Sequence, residues 1–164
     1  MRVAILTISD AGARGERADS SGDAIVAWAG ARHATVSGRA IVPDDTVEIV
    51  RCLVGWCDDD VADVILTTGG TGLGPRDVTP EATRAAVERE APAITERMRQ
   101  LELERFPRAS LSRATSGVRG RTLVINLPGS PAGVRDALGA LDAIVDHAVD
   151  IVRGMSTDHS GPQR

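Results

Sequence analysis

The chain has 164 residues, 42% hydrophobic content and a formal net charge of −4, which suits one domain around one buried core. Its 19 basic residues are all arginine, and the absence of lysine excludes a Walker-type phosphate loop, Schiff-base chemistry and a lysine base. Tyrosine is missing and the aromatics are Trp28, Trp56 and Phe106, so the sequence offers neither a stacking platform for single strands nor a broad basic footprint for duplex nucleic acid.

The run from Val3 to Ile8 predicts a buried first strand. It is too short to span a bilayer and lacks a cleavage pattern, so the expectation is a cytoplasmic protein that engages no membrane. Ser20 or Ser21 is placed to cap a helix whose inner face is Ile25, Trp28 and Ala29. Thr35 to Val42 reads as a second strand, stopped by Pro43. Asp45 and Glu48 form a capping-box pattern for a helix with the inward stripe Val47, Val50, Val54 and Cys57. Cys52 and Cys57 match no zinc or redox spacing and read as ordinary thiols of a reducing compartment.

Val61 to Thr67 reads as a fully buried strand. Pro80 suits the first position of a helix capped by Thr79, with Glu81 in its first turn. Beyond Pro92 a further helix sets Ile94, Met98 and Leu101 on one face. Arg113 to Val118 and Arg121 to Leu127 flank a tight turn at Arg119-Gly120, and the first of that pair is expected as an antiparallel edge. Ser130-Pro131 then opens one long helix with the stripe Val134, Leu138, Leu141, Val145, Ala148 and Val152, ended by Gly154. Together these predict an α/β fold: a mostly parallel sheet with one antiparallel edge strand and helices on both faces, in three α/β/α layers. A single domain over 1–153 and a disordered tail over 154–164 complete the expectation.

Parallel α/β sheets bind ligands outside the carboxyl ends of their strands. Here the strands run into Ser9-Asp10, Pro43-Asp44-Asp45, TTGGTGLGPRDVTP and Asn126-Leu127-Pro128-Gly129-Ser130-Pro131. In the TTGGTG loop, Gly69, Gly70 and Gly72 let the backbone turn sharply, and successive N–H groups ahead of a helix can hold an anion. The loop alone is also compatible with a tight strand-to-helix turn that holds nothing. It is no dinucleotide fingerprint, because Pro75 occupies the third glycine position.

A carboxylate beside a phosphate-binding turn repels its ligand unless a cation lies between, and Mg²⁺ binds through one or two carboxylates plus substrate phosphates. Asp77 is placed for that role, with Asp44 and Asp10 as further acids. Each also reads structurally, Asp77 as a turn aspartate and Asp44 at a helix start; Asp45 reads as the cap. Arg76 can pair with a phosphate or with Asp77, and Arg14 and Arg17 can face a ligand or form a solvated surface. His33, His147 and His159 fall at no strand end, so metal-assisted chemistry on a phosphate ester is favoured over general-base or covalent routes.

The string TTGGTGLGPRDVTPEAT, with TISD upstream, IVPDD between and SRATSGVRGRTLVINLPGSP downstream, resembles the molybdopterin adenylyltransferases. That is the Mog/MoaB group of molybdenum cofactor biosynthesis, related to the gephyrin G domain, and the resemblance runs from about Arg2 to Val152. It implies a homotrimeric protein that binds molybdopterin and moves AMP from Mg-ATP to the pterin's terminal phosphate, releasing pyrophosphate. By position it implies Asp77 and Asp44 as the functional acids, Asp77 beside Mg²⁺. Gly69, Gly70, Thr71 and Gly72 match the pterin-phosphate loop, Pro128, Gly129 and Ser130 the second binding turn, and Ser9 and Asp10 the pocket rim; Arg76 falls in the intact arginine-aspartate segment. A non-catalytic molybdopterin-binding or scaffold protein of cofactor assembly would share these loops. Members that lose adenylyl transfer alter the segment after TTGGTG, whereas Arg76-Asp77-Val78-Thr79-Pro80 is intact here.

Overall fold

The computed structural model describes residues 1–155. Residues 156–164, most of the expected tail, lie outside the described residues. Four strands run parallel: β1 (Arg2–Ile8), β2 (Thr35–Val42), β3 (Val64–Thr68) and β6 (Thr122–Leu127). Between them in the chain come β4 (Arg89–Glu90) and β5 (Ser116–Arg119), and the sheet order is β2-β1-β3-β6-β5-β4. The α/β expectation holds, with β5 antiparallel to β6 across the Gly120 turn. The outermost position is taken by β4, a two-residue strand too short to carry a periodic signal in sequence.

The helices are α1 (Asp10–Ala13), α2 (Ser20–Ala31), α3 (Thr46–Asp58), α4 (Thr79–Ala86), α5 (Ala93–Leu103), α6 (Pro131–Leu141) and α7 (Val145–Arg153). A 3₁₀ turn follows α5 at Pro107–Leu111. Because side chains alternate along a strand, each central strand feeds both faces. Val3, Ile5, Val64, Leu66, Leu123 and Ile125 pack with α2, α5, α6 and α7. Ala4, Leu6, Ile8, Ile65 and Val124 pack with α3 and α4. This two-sided burial makes the central strands continuous apolar runs.

Several local expectations are corrected. The cap of α2 is Asp19, whose carboxylate accepts from the Gly22 N–H at 2.9 Å, rather than Ser20 or Ser21. On α3 the buried stripe is Ile49, Leu53 and Cys57, with Val50 and Val54 half-buried beside it; Val47 is 62% exposed, two residues after the Asp45 cap that fixes the helix start and its rotation. Asp45 does accept from Val47 and Glu48 N–H groups, but Glu48 pairs with Arg51 instead of closing the box. The strand β3 begins at Val64 rather than Val61, since Asp63 is held by the Arg2 N–H and guanidinium. Thr79 does not cap α4: its hydroxyl donates to the Gly69 carbonyl, in the glycine loop. Leu101 on α5 is 46% exposed, and Thr95 and Met98 are the residues that helix buries. The expected long C-terminal helix breaks at 142–144, where Asp142 turns out to receive the Trp28 indole N–H and the Arg32 guanidinium. Residues 10–13, read as loop, form the short α1.

The C-terminal helix is tied back to the start of the sheet by charge. Arg153 and Arg2 both bond Asp60, and Arg2 also bonds Asp63. The Arg153 hydrogen bond holds the Asp60 carboxyl down to about 2. A carboxylate held below its unfolded value contributes stability that is complete above about pH 4 and is lost as pH falls through the folded value. The melting temperature of the parent should therefore drop between pH 4 and pH 2. Arg153→Ala should flatten that drop in thermal melts across the same window, and an unchanged slope would remove the tie.

Candidate functional site

In the sheet order, the chain steps from β1 outward to β2 and then back past β1 to β3. Neighbouring parallel strands whose connections leave in opposite directions open a crevice at their carboxyl ends, and there the polar loops converge. The Gly69–Gly70 pair is the tightest part. Gly69 has φ +97°, and a Cβ there would lie 2.3 Å from the Ile8 carbonyl oxygen at the end of β1. Gly70 has φ +64°, and its Cβ would meet the Thr79 hydroxyl at 2.4 Å and Asp44 Oδ1 at 3.1 Å. Gly129, after β6, packs tightly though less closely, its Cβ position being 3.2 Å from Gly69 Cα.

This ridge is fastened from several sides. The Thr79 hydroxyl donates to the Gly69 carbonyl at 2.8 Å, and the Thr79 N–H to the Gly70 carbonyl at 3.1 Å. The Thr68 hydroxyl donates to the Pro128 carbonyl at 2.6 Å, joining the two glycine turns. Arg113 is the residue that sequence reasoning missed. Its N–H donates to Thr71 at 2.9 Å, its Nε to the Gly72 carbonyl at 2.7 Å, and its guanidinium also reaches the Asp77 carbonyl and Glu81. An arginine just before a strand carries no local signal of such a latch; only the fold brings it to the loop. Asn126, fully buried, donates to the Thr67 and Thr83 hydroxyls and accepts from the Thr115 N–H, fixing β6 against β3 and α4.

Hollows lie on either side of the ridge. The larger, about 900 Å³, is lined by Gly70, Thr71, Gly72, Asp77, Pro128, Gly129 and Ser130, with a far wall from α5, the 3₁₀ turn and α6. That wall includes Leu101, Phe106 and Leu111, which the sequence reading did not assign to a site. The smaller, about 240 Å³, is lined by Thr7, Ser9, Arg17, Ser20, Ser21, Asp44 and Thr68, and shares Gly70 and Gly129 with the first. The amino end of α2 thus faces this hollow. Arg14, by contrast, pairs with exposed Glu16.

The acids divide accordingly. Asp77 lines the larger hollow, and its Oδ2 accepts from the Gly74 N–H at 2.8 Å. Asp44 lines the smaller one and forms a reciprocal pair with Asp10. The Asp10 N–H donates to Asp44 Oδ2 at 2.8 Å and the Asp44 N–H to Asp10 Oδ1 at 3.0 Å. Arg76 pairs with neither Asp77 nor open space: it forks onto both Asp10 oxygens at 2.9–3.1 Å. Asp10 and Arg76 line neither hollow and instead brace the rim. That guanidinium holds the Asp10 carboxyl below the ordinary range. The Asp44 carboxyl is pushed up, first by burial and then by the neighbouring charges of Asp10 and Asp77. Ser9 and Ser130 reach the hollows as helix caps, their hydroxyls accepting from Gly12 and Gly133 N–H groups at 3.1 Å.

The cysteines are free thiols, with Cys57 buried on α3 and its ionisation pushed up to about 11 by desolvation. No helix among the described residues is long and apolar enough to cross a membrane.

A doubly wound sheet whose glycine turns meet acids at the switch point defines an α/β ligand-binding protein with its site at the strand ends. The family model described as "Probable molybdopterin binding domain" matches residues 4–146, and the chain belongs to that family. It is 36% identical to the molybdopterin adenylyltransferase of Helicobacter pylori strain J99, over 94% of this chain and 89% of that protein. It is 40% identical to the molybdenum cofactor synthesis protein cinnamon of Drosophila melanogaster, over 90% of this chain but 25% of that longer protein. Among solved structures, the molybdopterin biosynthesis enzyme MoaB of Thermus thermophilus superposes with a TM-score of 0.88 at 48% identity, covering 93% of this chain and 96% of that one.

The ridge itself can be tested without a ligand. Gly69→Ala combines a left-handed backbone with contact against the Ile8 carbonyl and should cost at least about 2 kcal/mol in urea unfolding. Gly55→Ala on α3, where an added Cβ meets nothing within 4 Å, should be neutral or stabilise by up to about 1 kcal/mol. Equal behaviour of the two variants would contradict the close approach.

Proposed function

We propose that this protein is a molybdopterin adenylyltransferase of molybdenum cofactor biosynthesis, which transfers AMP from Mg-ATP to the terminal phosphate of molybdopterin and releases pyrophosphate. The observation that carries the reading is the glycine ridge between hollows, with Asp77 on one side and Asp44 on the other. The relatives named for this activity support it, at 36% identity over most of their length. In the reaction a terminal phosphate oxygen of the pterin attacks the α-phosphorus of ATP. One P–O bond forms there as the bond to the β-phosphate breaks.

In this reading the pterin occupies the larger, apolar-walled hollow and the nucleotide's phosphates the smaller, hydroxyl-lined one. The reacting phosphates then meet over Gly69–Gly72 and Gly129, where backbone N–H groups and the amino end of α6 favour negative charge. Arg17 at the smaller hollow supplies a fixed positive charge. With lysine absent, these groups carry the electrostatic load of phosphate binding.

Magnesium fits the acids. Asp44 and Asp77 offer hard carboxylate oxygens, and the raised Asp44 marks a place where added positive charge is favourable. Among the described residues no cluster of three or more acid, histidine or cysteine groups could hold a metal unaided, so phosphate oxygens and water would complete the shell. Bound there, the ion would neutralise charge on the transferring phosphates. The reading also carries a homotrimeric assembly in the cytoplasm, supported by the resemblance of the TTGGTG…LPGSP motifs; exposed Leu103, Ile151 and Val47 are apolar surface available to an interface.

The test is incubation with molybdopterin, ATP and Mg²⁺, followed by mass analysis for adenylylated pterin. Asp77→Ala should lower AMP transfer by roughly 10²–10³-fold or more while molybdopterin binding largely survives. Parent-like turnover in that variant would overturn the role of Asp77, and no product from fully loaded parent protein would overturn the enzyme reading.

A further inference from the structure

The larger hollow contains an acid that the transfer chemistry does not use. Glu102 lies on α5, Asp136 faces it from α6, and Phe106 stands on the same wall, 55% exposed. Glu102 Oε1 is shut off from solvent and accepts no hydrogen bond from any of the described residues. A buried acceptor without a donor is costly, and such a group in a cleft calls for a reason. Among the described residues no cation pairs with it directly, and Arg99 offsets its charge only through space. Arg99, the nearby positive charge, has its guanidinium on the Ser112 and Ala114 carbonyls, at 3.1 and 3.2 Å. Asp136 adds a like charge, and burial together with that charge pushes the Glu102 carboxyl up.

The terminal torsion of glutamate is broad and soft, so the carboxylate can turn toward the hollow that Glu102 lines when a ligand with donors arrives. An ionised carboxylate then accepts two adjacent N–H groups in a fork. A 2-amino-4-oxopterin offers that pair, N3–H beside the 2-amino group. Adenine offers one amino donor beside an acceptor nitrogen and does not match. A divalent ion would require more oxygen donors than this wall supplies.

We propose that Glu102, with Asp136 behind it, is the specificity-determining residue for the donor edge of the pterin ring, with Phe106 offering the ring a face. This rests on the molybdopterin reading above. It also gives a function to the α5 wall, which the glycine ridge does not.

The test compares parent and Glu102→Gln with two fluorescent probes, 6-hydroxymethylpterin phosphate and its 2-oxo counterpart, 6-hydroxymethyllumazine phosphate. The parent should prefer the 2-amino ring by about tenfold or more, and the variant should lose that preference, since its amide can donate to a 2-oxo group. With molybdopterin as substrate, KM should rise about tenfold or more in Glu102→Gln while kcat stays near the parent value. The melting temperature should be unchanged or higher, because a carboxylate without a direct cation partner has been neutralised; a lowered melting temperature with an unchanged probe preference would mean a structural role only and would overturn the proposal. Equal binding of the two rings by the parent would overturn it as well. So would a Mg²⁺-dependent rise in melting temperature, without nucleotide or pterin, that Glu102→Gln abolishes. If the parent adenylylates molybdopterin and the variant matches it in KM, this inference alone fails; if the parent neither binds nor adenylylates molybdopterin, the functional reading fails first.

Discussion

The contact on which the site depends is the approach of three backbone segments at Gly69. The carbonyl of Ile8 leaves no room for a Cβ at that position, and Gly129 packs against the Gly69 Cα from the other side. Three strand ends can therefore meet without side chains between them, and what they expose is backbone. Peptide N–H groups gathered on such a turn are a concavity for anions that requires no cationic side chain. The Thr79 hydroxyl and Arg113 then hold the loop in one geometry, so that its dipoles are oriented before a ligand arrives.

From this constraint the charge pattern follows. A ridge of N–H groups favours anions, yet acids stand on both of its flanks. Asp10 is neutralised by Arg76, and the pair braces the rim rather than the hollows. Asp44 and Asp77 retain no such arginine partner, and the Asp44 carboxyl is raised by burial and by its acidic neighbours. Unpaired acids beside an anion-favouring turn are an unstable arrangement for a phosphate alone and a favourable one for a phosphate with a divalent cation. Arginine serves as latch and brace at Arg113 and Arg76, and in the proposed reading binding falls to backbone, carboxylate and Arg17.

Much of this was legible in the residues. Apolar runs alternating with helical periods gave the mostly parallel sheet, and the polar strand ends marked the rim where Gly69, Asp44, Asp77 and Ser130 do come together. Local chemistry was read less well wherever two elements compete for one side chain. Thr79 looks like a helix cap but bonds Gly69, and Asp19 rather than a serine caps α2 because its carboxylate also receives the Thr7 hydroxyl. The break at 142–144 follows contacts from Trp28 and Arg32, more than a hundred residues away. Arg113 and the α5 wall escaped for the same reason, since a latch and a cavity lining exist only after folding. Arg76 was expected to pair with a phosphate or with Asp77, and the fold gives it Asp10 instead.

The central claim is that one ridge serves two ligands at once, the pterin phosphate on one side and the nucleotide phosphates on the other. Its most direct test is calorimetric titration of a non-hydrolysable ATP analogue with Mg²⁺ into protein already saturated with molybdopterin. The account predicts a ternary complex, with one nucleotide bound per chain and the pterin retained. Displacement of the pterin by the nucleotide, or binding of the nucleotide only to pterin-free protein, would contradict it.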